Sequence, residues 1–305
     1  MKVLRDFRPI FGLLVLLGAE QNLGAAGLQP KWRDVEFARI EQRALTLDLY
    51  IPSKPIESHA GPLPIIVWVH GGAWRSGTKE NIPIGRFLER GFAIASVEYR
   101  LSPEANFPAA VHDIKAAIRF LRARAKIYGL DPERFAIIGA SAGGHLAALV
   151  GVSNGSPSLE GTVGDHSSTT SAVQAIISFY GASNLQSILS QSTPHGLSVR
   201  VPALKLFLGD LPEQVPELAA LASPVRHVDP RDPPLWLIHG DADPQMPFAQ
   251  SRELEAAYRN QKLPVELSVV QGGVHGGAEF FTDQRLDQLA GWLLEQFARR
   301  GFEQP

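Results

Sequence analysis

The segment Phe135–Leu146 reads FAIIGASAGGHL, and it is the most informative part of the chain for predicting the fold. Its first four residues are apolar, as in a buried strand, and a helical pattern of apolar residues follows the glycines. Between them, Gly139 to Gly143 fit the G-x-S-x-G pattern of a nucleophile elbow, a sharp turn that joins a strand to a helix. Such a turn strains the backbone of its serine and needs small neighbours. We therefore predict that the Ser141 hydroxyl is exposed above the sheet as a nucleophile.

The residue after the serine adds a second feature to this turn. The backbone N–H of Ala142 lies at the N-terminus of the predicted helix, where it can face a developing oxyanion. Taken alone, the pentapeptide is as typical of a glycine-rich turn without any chemistry. The strand before it, the helix after it and the partner residues supplied by the rest of the chain favour the elbow.

Strand and helix patterns alternate along the rest of the chain. Two segments that largely alternate polar and apolar residues, Val35–Ile40 and Leu45–Ile51, predict an antiparallel hairpin at a sheet edge. Apolar runs predict the other strands, which are Ile65–Val69, Phe92–Val97, Val173–Tyr180, Leu235–Ile238 and Val265–Val270. Strands that alternate with helices imply an α/β fold, in which a mostly parallel sheet is covered by helices on both faces.

Two amphipathic helices are clear in the sequence. One is predicted to start near Pro108. Its apolar face has a spacing of three and four residues and consists of Val111, Ile114, Ile118, Leu121 and Ala125. Its opposite face is basic and consists of Lys115, Arg119, Arg122 and Lys126. The last helix is predicted to begin after Thr282 as its N-cap and to bury Leu286, Leu289, Leu293 and Phe297.

The patterns bear on domain organisation. No repeat or linker interrupts them, so we expect residues 27–305 to form one α/β catalytic domain. Residues 185–217, from Leu185 to Glu217, show no clear strand pattern and contain several Ser and Pro residues. We expect this segment to form a small cap over the site.

Residues 1–26 have the order of a secretory signal peptide. Three basic residues precede the apolar run Ile10–Leu17, and small residues follow it, although Asp6 and Pro9 depart from the pattern. The run is too short to be a permanent membrane anchor. We expect cleavage near Ala26 and a secreted or periplasmic protein. The alternatives are a misassigned start or a peripheral helix, in which case the protein is cytoplasmic.

The composition argues against several classes of function. The chain has 305 residues, a formal net charge of −2 and no basic stripe, which argues against a nucleic-acid partner. It has no cysteine, so thiol catalysis, disulfides and cysteine zinc sites are excluded. No cluster of His, Asp and Glu has metal-ligand spacing, and no phosphate-binding loop is present. We therefore predict neither a metal nor another cofactor.

A second glycine-rich turn follows the third predicted strand and reads HGGAW from His70 to Trp74. Glycine lets main-chain N–H groups approach a substrate oxygen closely, as in H-G-G-G-type oxyanion loops. We expect Gly72 and Ala73 to donate alongside Ala142, each contributing about 3 kcal/mol to transition-state stabilisation. His70 is expected to hold the loop by hydrogen bonding and not to carry a proton. On its own, the turn fits an ordinary glycine-rich loop equally well.

Two later turns supply an acid and an imidazole. The first follows a buried strand and contains Asp241 and Asp243, either of which could orient an imidazole, although a lone aspartate there more often only shapes a turn. The second follows the last strand and places His275 among glycines. The order Ser, Asp, His after successive strands is that of the α/β-hydrolase triad, at the strand ends where open α/β sheets place their sites. His275 would accept the proton of Ser141, and the aspartate would fix the imidazole tautomer.

These features resemble those of a known family, the α/β-hydrolase carboxylesterases of the hormone-sensitive-lipase type, and in particular its feruloyl-esterase-like bacterial branch. The similarity covers residues 35–298. Besides the elbow, the motifs that carry it are His70–Gly77, Glu98–Glu104, Phe107–Ala110, Phe179–Gly181, Ala222–Pro224 and Asp232–Pro234. Together they are specific for the family but not for a substrate.

The resemblance also implies roles for individual residues. In this family the carboxylate is the second aspartate of an H-G-x-x-D-x-x-V-P pattern, which corresponds to Asp243 and leaves Asp241 as a turn residue. Trp74 and Tyr180 lie in family motifs and are candidates for the substrate pocket. The chain departs from the pattern at Met246, where valine is usual. It also departs at Val274, where glycine is usual, and the second change is expected to restrict the histidine loop.

The resemblance implies a serine carboxylesterase that hydrolyses short-chain or aromatic esters through an acyl-enzyme, with acyl groups on plant polysaccharides as one candidate class. The expected partner is therefore a small-molecule ester, with no stable membrane anchor and no prediction of oligomeric state. An amide hydrolase, such as an arylformamidase or an exopeptidase, can share both glycine motifs and is the alternative among hydrolases. A non-catalytic binding module with this fold is the alternative from another class. Such modules usually lack a triad member, whereas all three candidates are present here.

Overall fold

Eight strands form one sheet in the computed structural model, which describes residues 28–53 and 61–302. The strands are β1 Trp32–Ile40, β2 Arg43–Tyr50, β3 Leu63–Val69, β4 Ala93–Val97, β5 Leu130–Ala140, β6 Ala175–Phe179, β7 Leu235–Gly240 and β8 Val265–Val270. Their order across the sheet is β1-β2-β4-β3-β5-β6-β7-β8. β2 is antiparallel to both of its neighbours, and all other neighbouring strands are parallel. The predicted α/β fold is confirmed, whereas the predicted signal peptide lies outside the described residues.

Helices connect most of the strands. They are α1 Arg86–Glu89, α2 Ala109–Ala123, α3 Ala125–Tyr128, α4 Ala142–Val152, α5 Pro157–Glu160, α6 Ile188–Gln191, α7 Pro194–Leu208, α8 Pro216–Leu221, α9 Phe248–Asn260 and α10 Asp283–Phe302. Short 3₁₀ helices lie at Pro224–Arg226 and Ala278–Phe280. The predicted N-cap of the last helix is present, because Thr282 Oγ1 accepts a hydrogen bond from the Arg285 backbone N–H at 3.3 Å.

Each face of the sheet packs against its own set of helices. In β3, the side chains of Val67 and Val69 belong to a core shared with α2, α4 and α9. Those of Ile66 and Trp68 belong to a second core, shared with α1 and α10. Side chains alternate between the faces of a strand, so a strand covered on both faces must be apolar at every position. This explains the continuous apolar runs in the sequence.

The basic face of α2 is more deeply buried than its amphipathic pattern suggests. Lys115 and Arg119 are both buried and form ion pairs with Glu160 of α5. The Lys115 ammonium group also donates to the Ser153 carbonyl oxygen at 2.8 Å. A hydrophobic pattern identifies the two faces of a helix, but it does not show which segment of the chain will cover the polar one.

The segment 185–217 is helical and lies beside the loop that follows β7. The Thr193 side chain caps α7 by accepting from the Gly196 backbone N–H at 2.9 Å. Its hydroxyl donates to the Pro244 carbonyl oxygen at 2.7 Å, which attaches the start of α7 to that loop. Pro202 inside α7 removes one helical N–H donor. α7 therefore contributes side chains to the same region as the turns after β7 and β8.

Candidate active site

Ser141 lies in a strained turn between β5 and α4. Its backbone angles, φ 55° and ψ −119°, are in a region that non-glycine residues rarely adopt and that costs about 1–3 kcal/mol. Close packing holds this turn in place. A Cβ atom on Gly139 would lie 2.2 Å from the Gly143 carbonyl oxygen, and one on Gly143 would lie 2.0 Å from the Val69 carbonyl oxygen. Only glycine fits at either position, so the chain has the backbone of the predicted elbow.

Ser141, His275 and Asp243 meet beyond the C-terminal ends of β5, β8 and β7. Ser141 Oγ lies 2.8 Å from His275 Nε2, and His275 Nδ1 lies 2.7 Å from Asp243 Oδ2. An ionised carboxylate can only accept, so the proton of the neutral imidazole is on Nδ1. His275 Nε2 is then free to accept the serine proton. This arrangement is suited to the activation of a serine nucleophile.

The Asp243 carboxylate is buried and well supplied with donors. Burial would raise the pKa of Asp243, but hydrogen bonds from His239, His275 and the Met246 backbone N–H bring it well below its usual range. The backbone N–H groups of Gln245 and Met246 both donate to Oδ1 at 2.8 Å. Asp243 therefore stays ionised at neutral pH and can stabilise a positive charge on the imidazole.

The His275 imidazole is held in its neutral form. Burial lowers the pKa of His275, and the opposing effect of the Asp243 carboxylate does not restore it to the usual value. The positive charge of Arg200 lowers the pKa of His275 further. A base has to be unprotonated to accept a proton, so this environment favours its use near neutral pH. The Tyr180 ring packs edge-on against the imidazole, with 4.9 Å between ring centroids.

Asp241 is placed differently from Asp243. It is exposed, and its Oδ1 accepts a hydrogen bond from the Gly272 backbone N–H at 2.7 Å. It thus ties the loop after β7 to the loop after β8, and the structure shows no hydrogen bond from it to His275. This geometry agrees with the role of a turn residue that the family resemblance implies.

The glycine-rich loop after β3 passes directly beside the serine. A Cβ atom on Gly71 would lie 2.9 Å from the Ala140 carbonyl oxygen and 3.4 Å from Ser141 Cβ. Gly72 and Ala73 both have positive φ angles, 111° and 51°. Within the described residues, no protein acceptor is bound by the N–H group of Gly72 or Ala73. Gly72 and Ala73, two of the three predicted oxyanion donors, therefore have N–H groups that are not used within the described part of the protein.

His70 holds this loop in place through contacts with Gly71 and Tyr99. It is buried, its Nδ1 donates to the Gly71 carbonyl oxygen at 2.8 Å, and its ring stacks on Tyr99 with 4.4 Å between centroids. Burial lowers the pKa of His70 to about 4. The Tyr99 hydroxyl also donates to the His70 carbonyl oxygen, at 2.9 Å. The expected structural role agrees with these contacts.

Trp74 does not line a substrate pocket, contrary to the expectation from the family motif. Its side chain is 1% exposed, and its indole Nε1 donates to His145 Nδ1 at 3.0 Å. The ring also stacks on Phe207 of α7, with 4.9 Å between centroids. The positive φ of Trp74, 60°, turns its side chain into the core. Trp74 therefore anchors the loop after β3 in the core.

A cavity of about 630 Å³ opens above the serine. Ser141, His275 and Gly72 line it together with Tyr180, the second pocket candidate, which the structure does place on the cavity wall. The same volume is in the range of pockets that hold small organic ligands. The cavity therefore joins the serine, the imidazole and two of the three candidate oxyanion donors, Gly72 and Ala73, in one space.

Sequence reasoning missed the wall that α7 contributes. Val199 and Arg200 of α7 and Gln245 of the loop after β7 line the cavity. Val199 and Arg200 lie in no motif, and Gln245 occupies only a variable position of the H-G-x-x-D-x-x-V-P pattern. α7 has no clear amphipathic pattern that would direct Arg200 inward. The only sequence signal was that the segment 185–217 was expected to lie over the site.

Neither a metal centre nor a membrane span is evident in the part of the chain that the structure describes. Among residues 28–53 and 61–302, no three His, Asp or Glu side chains converge in a way that could hold a metal ion. None of the helices in the same ranges is both long and apolar enough to cross a bilayer.

The fold and this site together define the class of the protein. A mostly parallel sheet, a strained serine after β5, and an acid and a histidine after the last two strands are the features of an α/β-hydrolase. Comparison with known families identifies the family within this class. The sequence model of the BD-FAE family matches residues 47–258, and the chain belongs to that family.

Individual relatives carry esterase names. Esterase LipQ of Mycobacterium tuberculosis is 36% identical over 201 residues, which are 65% of this chain and 46% of LipQ. Esterase LipC of the same organism is 31% identical over 222 residues, 70% of this chain and 53% of LipC. The chain thus spans about half the length of these relatives. Among solved structures, a truncated carbohydrate esterase from gut microbiota superposes with a TM-score of 0.78 at 32% identity, over 89% of this chain and 97% of that one.

Proposed function

We propose that the protein is a serine hydrolase of carboxylic esters that works through an acyl-enzyme. The observation that carries the proposal is the chain of two hydrogen bonds, 2.8 Å from Ser141 Oγ to His275 Nε2 and 2.7 Å from His275 Nδ1 to Asp243 Oδ2, at the floor of an open cavity. A serine hydroxyl is a weak nucleophile unless a base is positioned to take its proton.

In the first half of the reaction, Ser141 Oγ attacks the ester carbonyl carbon while His275 Nε2 takes the hydroxyl proton. The carbonyl oxygen becomes an oxyanion, which the N–H groups of Gly72, Ala73 and Ala142 stabilise by about 3 kcal/mol per donor. The C–O bond to the alcohol then breaks. His275 returns the proton to the departing alkoxide, and the acyl group remains on the serine.

In the second half, His275 takes a proton from a water molecule, whose oxygen attacks the acyl carbon. The bond to Ser141 Oγ breaks, and the serine recovers its proton from the imidazole. Asp243 keeps the imidazole in the required tautomer and stabilises its charged form throughout. The low pKa of Asp243 supports this role, because a protonated carboxyl could not do so.

The substrate class follows from the names of the relatives and from the site. We propose short-chain or aromatic carboxylic esters, with acyl groups on plant polysaccharides as a candidate, since one structural relative is described as a carbohydrate esterase. The segment 185–217 is proposed as the cap that limits access, because Val199 and Arg200 of α7 line the cavity. Export of the protein would fit a polysaccharide substrate, and it rests on the signal-like residues 1–26.

The test compares wild type with Ser141→Ala in the hydrolysis of p-nitrophenyl acetate and butyrate. Loss of the nucleophile should reduce kcat by about 10⁴-fold or more. A fluorophosphonate probe should label wild type at Ser141 and leave the variant unlabelled. Equal product release by both proteins would remove Ser141 from the mechanism.

A second comparison separates esters from amides. Assays on N-formylkynurenine and on an aminoacyl anilide, run beside the acetate ester at equal enzyme concentration, should show much faster ester turnover. Faster turnover of either amide would assign the site to an amide hydrolase instead. Absence of both probe labelling and turnover would favour a binding module.

A further inference from the structure

Arg200 is a buried cation whose contacts within the protein are incomplete. It lies on α7 and is 1% exposed. Its Nε donates to the Gln245 carbonyl oxygen at 3.3 Å, whereas neither terminal nitrogen, Nη1 or Nη2, has an acceptor among the described residues. Burial lowers the pKa of Arg200 to about 10, so the guanidinium remains charged at neutral pH. A guanidinium has five N–H donors, and most of them are left unused here.

The other buried cations of the described chain, Lys79, Lys115 and Arg119, each form an ion pair, although Arg119 Nε has no acceptor. Arg119 is also 1% exposed, and its terminal nitrogens donate to Glu160 and to the Val163 carbonyl oxygen. Lys115 likewise pairs with Glu160. A buried charge without hydrogen-bond partners is strongly unfavourable, so such a residue usually has a function that compensates for its cost.

The charges of the residues that line the cavity indicate the charge of the ligand that Arg200 would bind. Arg200 forms part of its wall, and the exposed Arg75, for which no ion pair is formed within the described residues, lies at the same cavity. No Asp or Glu of the described chain contributes to the cavity lining. The Asp243 carboxylate acts on Arg200 electrostatically, but it accepts its hydrogen bonds from other donors and leaves Arg200 Nη1 and Nη2 without an acceptor. A cavity wall that carries two cations and no carboxylate is complementary to an anion, and a planar guanidinium is suited to bidentate binding of a carboxylate.

We propose that Arg200 determines specificity by binding a carboxylate group of the substrate. The substrate class is then an ester that also carries a free carboxylate, either on the acyl side, as in a monoester of a dicarboxylic acid, or on the alcohol side, as in an O-acylated hydroxy acid. This inference rests on the proposed ester hydrolysis, since it concerns the substrate of the same serine.

Two matched pairs of substrates test the proposal and distinguish the two sides. Monomethyl glutarate is compared with methyl 5-methylhexanoate, and O-acetylglycolate with isobutyl acetate. Within each pair the shape is similar, but a carboxylate replaces an isopropyl group. Acid release in a pH-stat gives kcat/KM for each ester, and the readout is the ratio of the anionic ester to its neutral partner.

Three variants are compared with wild type. Arg200→Met removes the charge at similar length, Arg200→Lys keeps the charge but not the planar fork, and Lys205→Met removes an exposed cation from the same helix. Arg200→Met should lower the anionic-to-neutral ratio at least tenfold for one of the two pairs, since hydrogen bonds to charged groups are the strong ones. Arg200→Lys should lower it less, and Lys205→Met should leave it unchanged. The affected pair identifies the side of the ester that carries the carboxylate.

A binding measurement makes the result independent of turnover. In the Ser141→Ala background, calorimetry with the favoured anionic ester should give a Kd at least tenfold weaker after Arg200→Met. A ratio and a Kd that do not respond to Arg200→Met, in a variant with the melting temperature of wild type, would overturn the proposal. So would a lowered melting temperature with an unchanged ratio, because that result describes a structural arginine.

Failure of the inference differs from failure of the proposed function. If wild type hydrolyses the neutral esters and Arg200→Met leaves the anionic-to-neutral ratio of kcat/KM unchanged, the esterase assignment is supported and the proposed carboxylate specificity is wrong. If wild type hydrolyses none of the four esters and neither p-nitrophenyl ester, the proposed function falls. In that case, binding of either anionic ester to Ser141→Ala that weakens at least tenfold after Arg200→Met would still support the role of Arg200.

Discussion

Asp241 and Asp243 are only two residues apart, but their environments in the folded protein differ. Asp243 is buried and hydrogen-bonded to His275, whereas Asp241 is exposed and bridges to Gly272. Reasoning from the residues alone left both open, and only the family resemblance favoured Asp243. The distances now supply a physical reason, because a carboxylate must contact Nδ1 to fix the tautomer.

The two aspartates can be compared directly with isosteric variants. Asp243→Asn should lower kcat for p-nitrophenyl acetate by roughly 10⁴-fold, since the amide favours the wrong imidazole tautomer. Asp241→Asn should change kcat only a few-fold, because the amide oxygen can still accept from the Gly272 N–H. The opposite order of effects would move the acid of the site to Asp241.

At the scale of elements, the site depends on a close approach between the elbow and the oxyanion loop. The start of α4 packs so closely on the end of β3 that Gly143 has no room for a side chain. Trp74 fixes the loop after β3, because its indole Nε1 donates a hydrogen bond to His145 of α4. The close backbone packing and this side-chain hydrogen bond together set the distance between Ser141 and the loop after β3.

A pair of glycine variants tests this packing. Gly143→Ala places a methyl group 2.0 Å from the Val69 carbonyl oxygen and should lower the free energy of unfolding by at least about 2 kcal/mol. Gly291→Ala, in the exposed face of α10 with no atom within 4 Å of the new methyl group, should raise it by about 0.5–1 kcal/mol. Urea denaturation followed by circular dichroism measures both. A Gly143→Ala protein as stable as wild type would contradict the close approach.

At the scale of the whole molecule, buried histidines link stability to pH. His145 is fully buried, with Nδ1 accepting from Trp74 Nε1 and Nε2 donating to the Ala222 carbonyl oxygen at 2.7 Å. Both nitrogens are satisfied only in the neutral form, and burial lowers the pKa of His145 to about 4. His70 is buried with a pKa of about 4 for the same reason. Between pH 6.5 and pH 4 the unfolded chain therefore binds more protons than the folded protein, and stability falls as the pH is lowered.

This linkage predicts the effect of removing one buried imidazole. Wild type should lose about 2 kcal/mol of unfolding free energy from His145 alone between pH 7 and pH 5. His145→Gln keeps an acceptor for the indole and a donor for the carbonyl, and it should reduce the pH-dependent loss by that amount. The exposed His195→Gln serves as the control and should retain the wild-type loss. Chemical denaturation at several pH values measures how the free energy of unfolding changes with pH. The same pH dependence in wild type and His145→Gln would contradict the prediction.

Local patterns in the amino-acid sequence were enough to predict several parts of the molecule. The apolar runs predicted the sheet, and the glycines around Ser141 predicted the elbow, because steric limits on a tight turn act within a few residues. The order Ser, Asp, His after successive strands predicted a site at the strand ends, whereas the choice of Asp243 over Asp241 came from the family resemblance.

Features that depend on contacts between distant segments became visible only in the folded protein. Three such features arise where one helix or loop packs on another. They are the burial of the Trp74 side chain, the ion pairs of Lys115 and Arg119, and the position of Arg200 in the cavity wall. Hydrophobic patterning specifies which side of an element is buried, but the partner of a polar side chain depends on a segment many residues away. For this reason the catalytic candidates could be predicted from the sequence, whereas the residue proposed to select the substrate could not.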